Sequence, residues 1–136
     1  MEDWIQEVVS KWKTDGVKIN TGASLADIEA TERTLDFKFP DDFKDFYLEI
    51  NGFKDFYMEK HMFTFWPLEV IVKEYNDSSN KDYIGFCDYL IASHSIGFKK
   101  DQQGVYIIYG YEGITPIDQA FEEVVAMINS DSQLIY

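Results

Sequence analysis

The sequence has one cysteine, Cys87, so no disulfide can form within the chain. That excludes a small disulfide-stapled scaffold and fits a reducing compartment. Histidine is almost as scarce, with His61 and His94 only. No His-x-x-x-His, Cys-x-x-Cys or His-x-His spacing occurs, so no metal-ligating motif is present. Glu59 and His61 are two apart and can share a strand face, but the pair reads as a core-edge or solvated histidine beside a carboxylate. Basic residues are few: 12 against 25 acidic ones, a formal net charge of −13. Nucleic-acid affinity rests mainly on Lys and Arg meeting phosphate, so DNA, RNA and anionic lipid are not expected partners. A basic protein is the partner this field attracts. No run of about 18 apolar residues is present, so no membrane span is expected. The opening Met1-Glu2-Asp3-Trp4 lacks the basic and apolar regions of a signal peptide, and the expected location is the cytoplasm.

Catalytic signatures are also missing. There is no Gly-x-Ser-x-Gly, no phosphate-binding loop and no dinucleotide fingerprint. Ser93, His94 and Ser95 adjoin, but neighbours on a strand point to opposite faces, so the run reads as a polar turn or strand end. Cys87 stands beside Asp88, whose charge disfavours a thiolate, and reads as a packing residue. No catalytic residue, metal or cofactor is expected.

Core material is ample. The 136 residues include eleven Phe, nine Tyr and three Trp. A domain of this length buries roughly two-thirds of its unfolded surface without staples. Trp4, Ile5, Val8, Val9 and Trp12 predict an amphipathic helix ended by Asp15-Gly16, with Val17–Ile19 as a short extended link. Ser24 predicts the cap of a second helix carrying Leu25, Ile28, Glu32 and Leu35 on one face and a Glu29–Arg33 pair on another. Phe39-Pro40 ends it. Asp41 and Asp42 open a third helix with Phe43, Phe46, Tyr47 and Ile50 inward, and Asn51-Gly52 is expected to cap its end. Strands are expected at His61–Trp66, Tyr89–Ala92, Ser95–Lys99 and Val105–Tyr109, with a helix after Pro67, a turn at Asp101–Gly104 and a last helix from about Asp118 to Asn129. Helices, then strands, then a helix predict one α+β domain over residues 1–136: a mostly antiparallel sheet flanked by helices, with residues 1–20 as N-terminal helix and link.

Several blocks carry a family resemblance. They are Ile28, Glu32 and Leu35, then Phe39-Pro40, Phe43, Phe46 and Asn51-Gly52. Further on come Phe65-Trp66-Pro67-Leu68-Glu69, the stretch from Ile84 to Tyr106, and a closing block centred on Phe121. Their order and spacing over residues 21–130 resemble the SUKH superfamily, known also from fungal regulators of cell-wall assembly. Phe39 stands where the pattern has Leu, and Asp36 where it often has Gly. The resemblance implies a single α+β domain without catalytic residues. It also implies an immunity role: binding and neutralising a toxin domain, often a nuclease, encoded beside the gene. The alternative is a scaffold or regulatory binding module of the same fold; an enzyme acting on a small cationic ligand is a third reading.

Two surface sets are candidates for contact with a basic toxin. One is Asp41, Asp42, Asp45, Asp55 and Glu59. The other is Tyr109, Tyr111 and Glu112, at the end of the strand predicted most clearly. Glu32 lies in line with the apolar stripe of its helix. A buried carboxylate must be paired or protonated, so Glu32 is expected to accept hydrogen bonds within the fold.

Overall fold

A computed structural model describes residues 3–90, 94–108, 114–118 and 120–135. Helix α1 (Asp3–Thr14) is followed by β1 (Ile19–Thr21), α2 (Leu25–Leu35), α3 (Asp41–Glu49) and β2 (Ile50–Phe53). Next come β3 (Phe63–Phe65), α4 (Leu68–Asp77), β4 (Tyr83–Tyr89), β5 (His94–Lys99), β6 (Gln102–Ile108), β7 (Ile114–Asp118) and α5 (Phe121–Asn129). Strands β3 to β7 form one antiparallel sheet in sequence order, and β1 pairs with β2 beside it. This is the α+β architecture expected.

The core is built from rings. Trp12 of α1 meets Phe46, Phe53 and Phe65 edge-on or tilted. Phe43 of α3 touches Phe39, Tyr47, Phe86, Phe98 and Phe121. Thus α1, α3 and α5 lay their apolar stripes on Phe65, Phe86 and Phe98 of the sheet, while α4 packs against β4 and α2. Offset and edge-on ring pairs add about 0.5–1.5 kcal/mol each beyond area burial. The last turn, Gln133–Ile135, is tied back by a hydrogen bond between the His94 ring and the Ile135 carbonyl (3.0 Å).

Several expectations are corrected. Asn51-Gly52 does not cap α3. Ile50 already has extended geometry, and the chain runs straight into β2. The Glu29–Arg33 pair is not among the ion pairs of the described residues, and Leu25 faces solvent. β4 shares only Tyr89 with the strand expected at Tyr89–Ala92: it runs from Tyr83, Leu90 already turns away, and Ile91 and Ala92 lie outside the described residues. A bulge between Gly85 and Cys87 breaks the alternation that would have revealed it. The turn after β5 is tighter than expected, since Lys99 already pairs with Gln102. Ile114–Asp118 is a strand rather than a lead into the last helix, which begins at Phe121. Its Pro116 suits an edge strand, where one N–H of the ladder is dispensable.

Candidate interaction surface

The carboxylates fall into two groups, those spent on the fold and those facing solvent. Glu32 belongs to the first. It is buried, and its Oε2 accepts a hydrogen bond from the Phe39 backbone N–H at 2.8 Å. The bond holds the chain as it leaves α2, where Asp36 takes the left-handed conformation (φ 53°) usually given to Gly. Asp42 belongs there too. Its Oδ1 accepts from the Phe43 N–H, and its Oδ2 accepts from the Glu122 N–H at 2.9 Å. One carboxylate thus serves the first turns of α3 and α5, where negative charge is stabilising. Asp41 and Asp45 are exposed, as are Glu122 and Glu123 on the adjoining turn of α5. Sequence spacing could not show that α3 and α5 start side by side, because the two turns lie 80 positions apart.

Glu59 is removed from the expected acidic surface. It is only 3% exposed. Its Oε1 accepts from the backbone N–H groups of His61 (2.7 Å) and Phe63 (3.1 Å). These bonds close the tight turn in which Glu59 N–H donates to the Phe63 carbonyl and Met62 N–H to the Glu59 carbonyl. His61 Nδ1 lies 3.2 Å from Oε2 without hydrogen-bond alignment, so this approach is an electrostatic contact rather than a bond. Burial pushes the Glu59 carboxyl above its usual range, partly offset by the Phe63 and His61 N–H groups.

Glu59→Ala strands two N–H donors and should cost about 2 kcal/mol at pH 7. Glu59→Gln keeps the acceptor and removes the buried charge, so it should match or exceed wild-type stability there. Because the folded carboxyl holds its proton more tightly than the unfolded one, Glu59 favours folding below its unfolded pKa. That contribution is lost as pH rises through the raised folded value. The advantage of Gln over wild type should therefore shrink as the buffer is acidified into the carboxylate range. Urea unfolding of the three proteins at several pH values reads this; an advantage that grows on acidification would contradict it.

Asp55 is exposed, at φ 52°, next to a set of large apolar side chains that also face solvent. These are Phe56, Tyr57, Met58, Met62 and Leu90. Phe56 to Met58 follow β2, and Met62 enters β3. Leu90 leaves β4 and donates its N–H to the Met62 carbonyl at 3.0 Å. The sheet register, Phe63 opposite Tyr89, puts both at one end of the β3–β4 pair. Sequence reading missed this set. The available signal was the run Asp55-Phe56-Tyr57-Met58, apolar yet without helical or strand periodicity. Tyr109, Tyr111 and Glu112 lie outside the described residues.

The remaining reactive groups are placed for packing. Cys87 is fully buried, and burial first, with the charges of Asp88 and Glu59, pushes its thiol well up. Asp88 accepts from the Trp66 indole N–H at 2.9 Å. Tyr47, whose hydroxyl burial also pushes up, donates to the Trp66 carbonyl at 2.6 Å. Two open grooves of about 460 and 440 Å³ meet at Phe37 and Lys38, and neither is lined by His, Cys, Ser or Thr. Among the described residues, no three His, Cys, Asp or Glu side chains are grouped to hold a metal ion.

The family blocks converge in space. The Asn51 side-chain oxygen accepts from the Leu68 N–H at 2.9 Å, capping α4. The Asn20 amide in turn donates to the Asn51 and Phe53 carbonyls. Gly52 lies directly against the Trp66-Pro67 backbone. Phe121 inserts among Phe43, Phe46, Phe65 and Phe86. A comparison with curated proteins gives no match. A family model described as the SMI1/KNR4 family (SUKH-1) matches residues 22–134, which contain every one of these blocks, so the chain belongs to that family.

Proposed function

We propose that this chain is an immunity protein that binds and neutralises a basic, nuclease-type toxin domain by protein–protein contact, in the cytoplasm and without catalysis. The observation that carries the reading is the SUKH-1 family match over residues 22–134, taken with a formal net charge of −13. A nuclease surface is basic because it binds phosphate, and opposite fields speed encounter and favour the right partner. Exposed Asp41, Asp45 and Asp55 remain available to such a partner, whereas Glu59 is buried and Asp42 is bonded within the fold. The same acidity argues against nucleic acid as the ligand. No helix among the described residues is long and apolar enough to cross a membrane.

The test is co-expression with the toxin domain encoded beside the gene. Growth rescue with a stable co-purified complex is the expected result. Folded protein that gives neither would favour a regulatory binding module of the same family.

A further inference from the structure

Seven large apolar side chains are exposed among the described residues; Met62 and Leu90 meet at one end of the β3–β4 pair, and Phe56, Tyr57 and Met58 lie on the segment leading into it, where the Glu59 N–H bonds the Phe63 carbonyl. Phe56 is 59% exposed, Met62 47%, Leu90 43%, Tyr57 42% and Met58 38%. Aromatic side chains carry 150–250 Å² each, so the set presents on the order of 400 Å² of side-chain surface. That is within the range of the largest apolar patch on an ordinary monomer, which is often functional. Its composition, two aromatics and two methionines, is the composition of interface cores rather than of general surface.

The backbone under this surface supplies an independent observation. Six non-glycine residues among those described have left-handed φ. Asp36, Asp55 and Asp131 are of a type that tolerates it. The other three, Phe56 (φ 58°), Met62 (φ 73°) and Leu90 (φ 48°), are bulky and apolar, and all belong to the exposed set. Gly or Asn would suit these positions on both counts, backbone and solvent. Local conformation and solvation both oppose the residues present, and such conflicts concentrate at functional sites.

We infer that Phe56, Tyr57, Met58, Met62 and Leu90 form the docking plate for the cationic toxin domain, an inference that rests on the immunity reading above. A second copy of the chain is a poor occupant for two reasons. Two copies would each bring a net charge of −13. Two such plates would also bury less than the roughly 1,000 Å² that a specific interface needs. A cationic partner is steered by the long-range field of the −13 chain, while contact rests on the apolar centre, since the same segment exposes Lys54 and Lys60 as well as Asp55.

The test uses the full chain and the toxin domain encoded beside it. Phe56→Asn and Met62→Asn, separately and together, put a residue suited to left-handed backbone at each site. The double variant should keep or exceed the wild-type melting temperature and lose at least about 100-fold in affinity by calorimetry, with loss of growth rescue. Leu25→Gln, which removes an exposed apolar side chain on α2, should bind within about threefold of wild type. Wild-type binding that the double variant retains within threefold overturns the plate and leaves the immunity reading standing. Absence of a wild-type complex overturns both. A chain that sediments as a dimer, and as a monomer once Phe56→Asn is introduced, makes the plate a self-association face and overturns the inference. Should the double variant unfold, a photo-crosslinking phenylalanine at position 56 decides instead: an adduct with the toxin domain supports the plate, and a complex without one overturns it.

Discussion

Gly52→Ala should cost about 4 kcal/mol, several times the cost of the same change at Gly16. Both glycines have left-handed φ, +68° and +83°, where an L side chain costs roughly 1–2 kcal/mol. They differ in what a methyl group would meet. At Gly16 nothing lies within 4 Å. At Gly52 the new Cβ would sit 2.4 Å from Pro67 N and 2.5 and 2.7 Å from Trp66 C and O. Those are backbone atoms, and no rotamer change can move them. β2 would have to separate from the turn into α4, and the Asn51–Leu68 cap would go with it. Overpacking of this kind adds roughly 1–3 kcal/mol to the conformational term. Domains of this size have roughly 5–15 kcal/mol in total, so the Gly52 variant should be marginal at 37 °C and the Gly16 variant should not. Urea unfolding of both reads the difference. Equal losses would mean that conformation alone accounts for Gly52.

Glu32→Ala is the second large effect, expected at about 3 kcal/mol. The carboxylate is 6% exposed and is the acceptor for the buried Phe39 N–H. Hydrogen bonds to charged groups are worth roughly 1.5–3 kcal/mol, and an orphaned buried donor costs a further share of that size. In a domain of this length that corresponds to a fall of roughly 10 °C in melting temperature. Glu32→Gln keeps an acceptor and should recover more than half of the loss. If Ala leaves the melting temperature unchanged and toxin binding fails instead, Glu32 acts at a partner surface and its structural role is refuted. The geometry points the other way, because Phe39 leads directly into Pro40 and α3. Slack at this bond would move Phe39 and Phe43 off Phe98.

The two variants probe one construction. Glu32 holds the exit from α2, and Gly52 lets β2 lie on the entry to α4. Between them runs α3, whose Phe43, Phe46 and Tyr47 are all fully buried. In this chain each end of that helix thus has a backbone-level fastening. Glu32, Phe43, Phe46 and Tyr47 are buried, so in the immunity reading they act by holding the surface in shape.

What the sequence alone determined is the set of local structures that short-range physics dictates. The Ser24 cap bonds the Asp27 N–H as its spacing requires, at 3.0 Å. The stripes of α1 and α3 are legible because helical periodicity depends only on neighbours three and four apart. The order and spacing of the blocks were enough to indicate the family. Glu32 as a structural carboxylate was legible for the same reason: it stands on an apolar stripe. What only the tertiary structure decided depends on partners distant in sequence. Asn51-Gly52 reads locally as a helix stop, and its true work is done on Trp66, Pro67 and Leu68. Asp42 reads as a first-turn charge of its own helix, yet it also accepts from the Glu122 N–H. Glu59 reads as a surface charge because a polar residue between Met58 and Lys60 gives no local sign of burial; folding turns it inward to close the Phe63 turn. The exposed plate is the counterpart. Phe56, Met62 and Leu90 have the chemistry of core residues, and only the path of the backbone through left-handed turns turns them toward solvent.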